Sequence, residues 1–190
     1  MFEGVDTVVL HDELAYHDIL PVVWQPLDRA PDAYRLAGLE ETNVLLLRAC
    51  VAVEEHPARD KHEDLHPLAN ELARLDFKLN LVLHLLATLA TLVERETPAN
   101  PVPVQFNALG ASWQERRTPP TLGSRGLLRI RLRGSLPQSL DLYAEITENQ
   151  GGGMSASFVS LPPVVGELIQ QLCFLKHRTR VAGSRNSRNK

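Results

Sequence analysis

The most regular hydrophobic pattern in the chain lies between residues 65 and 93. Apolar residues recur there at alternating intervals of three and four, at Leu65, Leu68, Leu72, Leu75, Leu79, Val82, Leu86, Leu89 and Val93. This 3.5-residue repeat predicts a helix with one continuous seam for a partner helix. Leu83, Leu85 and Leu92 flank the seam, and a two-stranded coil would leave them exposed. The pattern therefore predicts self-association, as a tetramer; the alternative is an intrachain two-helix hairpin packed on the rest of the chain.

A second helix is predicted over residues 32–56, ahead of this repeat. Its apolar positions also follow intervals of three and four, at Leu36, Leu39, Asn43, Leu46, Cys50 and Val53. Pro57 ends the helix. Pro98, Pro101 and Pro103 follow the heptad repeat and predict a hinge.

The last third of the chain has a different pattern, with apolar and polar residues in strict alternation. Leu128, Ile130 and Leu132 alternate with arginines, and residues 140–146 alternate in the same way. This period of two is typical of antiparallel strands, and residues 109–113 and 155–161 predict two more. Gly151–Gly153 predicts a hairpin turn, and residues 163–177 a closing helix. Five or six short strands with a terminal helix predict a small β-barrel.

The chain is accordingly divided into four segments. Residues 1–31 form an N-terminal extension, 32–97 a helical oligomerisation region, 98–180 the barrel, and 181–190 a flexible basic tail. The net charge is −3, yet residues 176–190 contain six basic residues and no acidic one. Small polar residues interrupt this basic run, which favours a frayed terminus over a nucleic-acid contact.

Composition supports a leucine-packed, cytoplasmic protein. The chain contains 32 leucines but only 10 aromatic residues. Cys50 and Cys173 are far apart and form no metal or redox motif, which favours reduced core thiols. The N-terminus has no basic segment followed by an apolar one, so no signal peptide is predicted, and no stretch is apolar and long enough to cross a membrane.

Two histidine-containing clusters were considered as metal sites. His62-Glu63-Asp64-Leu65-His66 matches the HExxH pattern of zinc hydrolases, but Pro67 disfavours the helix that would present both histidines. His11, Asp12, Glu13, His17 and Asp18 form the other cluster, for which a solvated surface is the favoured interpretation. Neither a metal nor a catalytic function is predicted. The strand predicted around residue 130 has a row of arginines on one face, at Arg129, Arg131 and Arg133. We interpret this row as the solvent-exposed face of the strand rather than as a phosphate site.

The segments 105–113, 127–132, 140–146 and 157–159 and the closing helix resemble the PilZ domain family. Together with Asp12–Tyr16, Leu20-Pro21, Trp24 and two heptad helices, they resemble the atypical, tetrameric PilZ proteins of xanthomonads. The resemblance implies an α+β fold: a six-stranded antiparallel barrel with a C-terminal helix, preceded by two long helices in a coiled-coil bundle. It also implies cyclic di-GMP as the ligand, held by an RxxxR and a D/NxSxxG motif.

The chain departs from both motifs. At the second, Gln105 replaces Asp or Asn, Asn107 replaces Ser, and Gly110 matches. At the first, Arg95 has no arginine four residues away. We therefore expect a non-enzymatic scaffold without a cofactor, which binds protein partners in motility, pilus or virulence control. The alternative is a genuine cyclic di-GMP receptor that binds through Arg95, Gln105, Asn107, Gly110, Arg116 and Arg117.

Overall fold

The computed structural model describes residues 9–55, 75, 79, 100–115, 119–132 and 138–188. The strands are β1 (Val9–Leu10), β2 (Glu13–Leu14), β3 (Tyr16–Pro26), β4 (Pro101–Phe106), β5 (Gly110–Gln114), β6 (Arg125–Ile130), β7 (Leu140–Gln150) and β8 (Gly153–Phe158). The two long helices are α1 (Ala33–Glu55) and α2 (Pro163–Arg188).

Six of these strands close into an antiparallel barrel in the order β3-β4-β5-β8-β7-β6. Alternate side chains of β7 point into the barrel, where Leu140, Leu142, Ala144 and Ile146 are buried. Val165, Ile169 and Leu172 of α2 are buried in the same core, so α2 closes the domain. The predicted six-stranded barrel with a C-terminal helix is confirmed.

The N-terminal segment is not an extension outside the barrel, and this part of the predicted division is corrected. Tyr16–Pro26 forms β3, which pairs with β4 through Pro21 and with β6 from Val22 onward. Prolines normally interrupt a strand because they lack the N–H group that a ladder needs. In fact Pro21 lies where the strand changes neighbours and Pro26 at its end, so both are tolerated there.

The predicted hinge after the heptad repeat is also corrected, because Pro101 and Pro103 lie within β4. In a strand, alternate N–H groups point to opposite neighbours. The N–H of Asn107 donates to the carbonyl of Gly110, so the backbone N–H groups of odd-numbered residues in β4 point toward β5. The β4–β5 ladder begins only at Val104. The N–H groups that the prolines lack therefore have no strand partner to lose.

The seam predicted for the first helix is used inside the chain. Asn43, Leu46 and Cys50 are buried where α1 packs against α2 and β7. A spacing of three and four describes any helix face that packs on a neighbour, and here that neighbour is the chain's own barrel. Not all of the predicted positions are covered, since Val53 is 50% exposed. Leu45, which lies outside the seam, is 58% exposed.

The C-terminal helix is longer than expected. The structure continues α2 to Arg188, whereas residues 181–190 were predicted as a flexible tail. No proline interrupts α2 after Pro163, and Gly183 costs only about 1 kcal/mol relative to alanine. Basic residues near a helix C-terminus interact favourably with the helix dipole. Among the helices in the described part of the chain, none is long and apolar enough to span a bilayer.

Candidate functional site

The residues that match or replace the second ligand motif lie on one hairpin. Gln105 is near the end of β4, Asn107 begins the turn, and Gly110 begins β5. The N–H of Asn107 donates to the carbonyl of Gly110 over 3.0 Å, which closes the turn. The structure therefore brings the three positions together on one hairpin, and what their side chains contact decides whether they can bind a ligand.

Asn107 is turned into the protein and is completely buried. Its Nδ2 donates to the carbonyl of Leu10 over 2.5 Å. Its Oδ1 accepts from the N–H groups of Leu109, at 2.9 Å, and Gly110, at 3.2 Å. The side chain thus ties the β4–β5 turn to the N-terminal β1–β2 hairpin, and its polar atoms are already engaged by the protein.

Gly110 is required by close packing of the backbone. A Cβ atom at this position would lie 2.3 Å from the carbonyl oxygen of Ala156 on β8 and 3.2 Å from Nε2 of His11. His11 and Asp12 form the turn of the β1–β2 hairpin with φ values of 52° and 62°. Since β1 also contacts β5, this hairpin covers the turn that carries Asn107 and Gly110.

The hairpin is the part of the site that sequence analysis missed. Its signal was present but weak: Val9-Leu10 and Glu13-Leu14 flank a two-residue His11-Asp12 turn. A type I′ turn needs positive φ at both central residues, and aspartate and histidine tolerate that conformation better than most residues. Strands of two residues give no periodicity that a sequence could reveal.

Replacement of Asn107 by alanine tests its structural role. The change leaves the carbonyl of Leu10 and the N–H groups of Leu109 and Gly110 without partners in a buried site. We expect the free energy of unfolding in urea to fall by about 2–3 kcal/mol.

The matched control for this change is Asn149→Ala. Asn149 makes one exposed hydrogen bond, from its Nδ2 to the carbonyl of Pro120 at 2.9 Å, so its loss should cost less than about 1 kcal/mol. Equal losses for the two variants would contradict the assignment of Asn107 as the residue that holds the two hairpins together.

The remaining residues proposed for ligand or metal binding have separate outcomes. Arg95, Arg116 and Arg117 lie outside the described residues, as do His62 to His66 of the HExxH match. The cluster of His11, Asp12, Glu13, His17 and Asp18 is described, and the described residues include no group of three or more His, Cys, Asp or Glu able to hold a metal ion.

Of the three arginines interpreted above as the exposed side of a strand, Arg129 lies in β6, Arg131 follows it, and Arg133 lies outside the described residues. Two arginines of β6, Arg125 and Arg129, contact carboxylates. Arg129 Nε lies 3.2 Å from Asp141 Oδ2, and Arg125 Nε lies 2.7 Å from Glu145 Oε2. Each pair joins β6 to β7 at directly opposed positions of the ladder. The contact with Glu145 raises the pKa of Arg125. These guanidinium groups are therefore part of the strand pairing.

Two buried titratable groups are Tyr16 of β3 and Cys173 of α2. Tyr16 stacks on Phe106 with ring centroids 4.9 Å apart, and its hydroxyl donates to Asp18 Oδ2 over 3.2 Å. Burial, followed by the charge of Asp18, raises the pKa of Tyr16. Burial raises the pKa of the Cys173 thiol to about 12. Both groups are protonated at neutral pH, and neither is prepared to act as a base or nucleophile.

A surface groove separates the first half of α1 from the barrel. It has a volume of about 280 Å³ and is bounded by α1, β7 and residues 159–162. At its inner end, Asn43 Nδ2 donates to the carbonyl of Asp141 over 2.8 Å, and the N–H of Asp141 donates to Asn43 Oδ1 over 3.0 Å. These paired hydrogen bonds fix α1 to β7.

Comparison with known proteins agrees with this architecture. The model of the family described as "atypical PilZ domain, cyclic di-GMP receptor" matches residues 47–186. No curated protein matches the chain. Among solved structures, a pathogenic protein of Xanthomonas campestris, described as a tetrameric PilZ domain self-assembled through an unusual helical bundle, is similar in fold, with a TM-score of 0.64. It is 22% identical, over 91% of this chain and 93% of that one. The chain belongs to the atypical PilZ domain family of cyclic di-GMP receptors.

Proposed function

We propose that the protein is a non-enzymatic signalling scaffold of the PilZ type, in which the usual cyclic di-GMP site has been lost. The observation that carries this proposal is the inward orientation of Asn107. Its side chain is completely buried, and its amide nitrogen and oxygen bond to Leu10, Leu109 and Gly110. A ligand at this turn would have to break those contacts before it gained any of its own.

Charge around the turn supports the same proposal. Cyclic di-GMP is a dianion, and forked guanidinium groups are suited to its phosphates. The β1–β2 hairpin, which covers the turn, carries Asp12 and Glu13 instead. These carboxylates would repel a phosphate brought to the same surface.

Self-association is the second part of the proposal. Leu75 and Leu79 are in helical conformation and are each 59% exposed, although both belong to the heptad seam. An exposed leucine seam requires a partner surface. The tetrameric arrangement described for the similar Xanthomonas protein supports four copies joined through residues 65–93. Leu45 and Val53 of α1, which are 58% and 50% exposed, provide further apolar surface for such a bundle.

A tetramer would display several barrels to one partner assembly. Linked weak contacts then act together, which raises the overall affinity without requiring a strong single site. The partners we propose are proteins of bacterial motility, pilus or virulence control, as the family resemblance implies. In this arrangement residues 65–93 hold the copies together, α1 packs on its own barrel, and the barrels provide the binding surfaces.

Isothermal titration of the full-length protein with cyclic di-GMP tests the loss of the ligand site. We expect no binding heat above that of dilution at protein concentrations of about 100 μM. Micromolar or tighter binding would overturn the scaffold and favour a receptor that uses unusual residues. In that event Arg95→Ala, Arg116→Ala and Arg117→Ala should each weaken binding, because these arginines are the nearest candidate phosphate ligands in the sequence.

A further inference from the structure

The groove beside α1 has the composition of a protein-docking site. Its walls are mainly apolar, with contributions from Leu36, Leu39, Leu142, Leu161 and Pro162. It is formed by α1, β7 and the segment before α2, and no residue of the β4–β5 turn is among those that line it. With a volume of about 280 Å³, it has room for aliphatic side chains but is small for a dinucleotide.

The groove is held open by specific contacts. The paired hydrogen bonds between Asn43 and Asp141 anchor the middle of α1 against β7. The N–H of Val159 donates to the carbonyl of Tyr143 over 2.8 Å, and Ser160 has a φ of 54°. These contacts fix both walls, so little ordering would be needed when a ligand binds.

The charge of the groove is acidic. Glu40 and Asp141 are the acidic residues that line it, and among the described residues no lysine or arginine does. Asp141 is paired with Arg129 and also accepts a hydrogen bond from Ser139 Oγ. Glu40 has no ion-pair partner among the described residues, so its carboxylate is available at the mouth of the groove.

We propose that this groove binds a cationic amphipathic segment of a partner protein. Aliphatic side chains of that segment would pack against Leu36, Leu142 and Pro162, while a lysine or arginine would pair with Glu40. Tyr34, which is 91% exposed on the same stretch of α1, adds the kind of aromatic side chain that dominates many interfaces. This inference rests on the proposed scaffold function and names the chemistry of its partner.

Fluorescence anisotropy with two labelled peptides tests the inference. The first is a short amphipathic peptide of leucine and lysine, and the second has glutamate in place of lysine. We expect the full-length protein to bind the lysine peptide and not the glutamate peptide. Glu40→Gln should weaken binding about fivefold, since a desolvated ion pair is lost. Ala37→Trp should weaken it about tenfold, because Ala37 lines the groove and the indole would fill it.

The matched control is Glu41→Gln, which makes the same change of charge one residue farther along α1 and outside the groove lining. Its affinity should change less than twofold. Equal losses for Glu40→Gln and Glu41→Gln, or no loss for an Ala37→Trp variant that retains the wild-type melting temperature, would overturn the groove as the binding site.

Titration of the same wild-type protein with cyclic di-GMP separates this inference from the proposed function. If the nucleotide binds and the lysine peptide shows the expected variant pattern, the docking groove is retained and the ligand-free scaffold is rejected. If neither binds, the groove is rejected, while the loss of the nucleotide site is retained.

Discussion

Replacement of Leu75 and Leu79 together by glutamate is expected to convert the proposed tetramer into monomers. The two residues lie four apart in helical conformation, so their side chains share one face. Both are 59% exposed in the single chain and occupy seam positions of the heptad repeat. In an assembled bundle each glutamate would lose water without gaining a counterion, at a cost of several kcal/mol per carboxylate. Size-exclusion chromatography with light scattering gives the mass directly.

The control for this pair is Leu122→Glu. Leu122 is 67% exposed, but it lies in the turn before β6 and is not part of the heptad seam. Its replacement should leave the wild-type mass unchanged. A wild-type monomer at micromolar concentration, or a double variant that keeps the tetrameric mass, would contradict assembly through the leucine seam. A mass change with Leu122→Glu would indicate a different interface.

Elements built from neighbouring residues were predicted well from the sequence. The alternation of residues 140–146 gave the buried face of β7, because side chains of a strand alternate between core and surface. The three glycines gave the β7–β8 hairpin, where Gly151 and Gly152 have φ values of 58° and 85°. Both signals depend only on local backbone geometry, which adjacent residues determine.

Elements fixed by distant residues could not be predicted in this way. β3 is stabilised by β4 and β6, whose partner residues lie more than seventy positions later in the chain. Its own sequence contains two prolines and no clear alternation, so nothing local identified it as a barrel strand. The seam of α1 was recognised, but a helical period does not state which surface will cover it.

The candidate site also depends on residues that are distant in the chain. Gln105, Asn107 and Gly110 lie on one hairpin, whereas the sequence pattern predicted only a strand over residues 109–113. The direction of the Asn107 side chain depends on Leu10, a residue 97 positions away, and on the small hairpin that presents it. The acidic groove likewise combines α1 with β7 and the segment before α2, which only the folded chain brings together.

Gly110→Ala is expected to be strongly destabilising. Its methyl group would lie 2.3 Å from the backbone oxygen of Ala156, a distance that real Cβ atoms do not adopt. Since β5 and β8 are paired from Gly110 to Gln114, relief requires the ladder to shift at the position where β5 begins. We expect the free energy of unfolding in urea to fall by about 3–4 kcal/mol, at the upper end for an overpacked site. Circular dichroism follows the transition.

Gly38→Ala is the matched control, with the same added methyl group and the opposite expected sign. Gly38 lies inside α1, and a Cβ atom there would have nothing within 4 Å. Alanine restricts the unfolded chain and favours the helix, so stability should rise by about 0.5–1 kcal/mol. Both variants are compared with the wild type at one protein concentration, because association adds to apparent stability. If Gly110→Ala were neutral, the close approach of β5 to β8 would be refuted, and with it the structural explanation for glycine at this signature position.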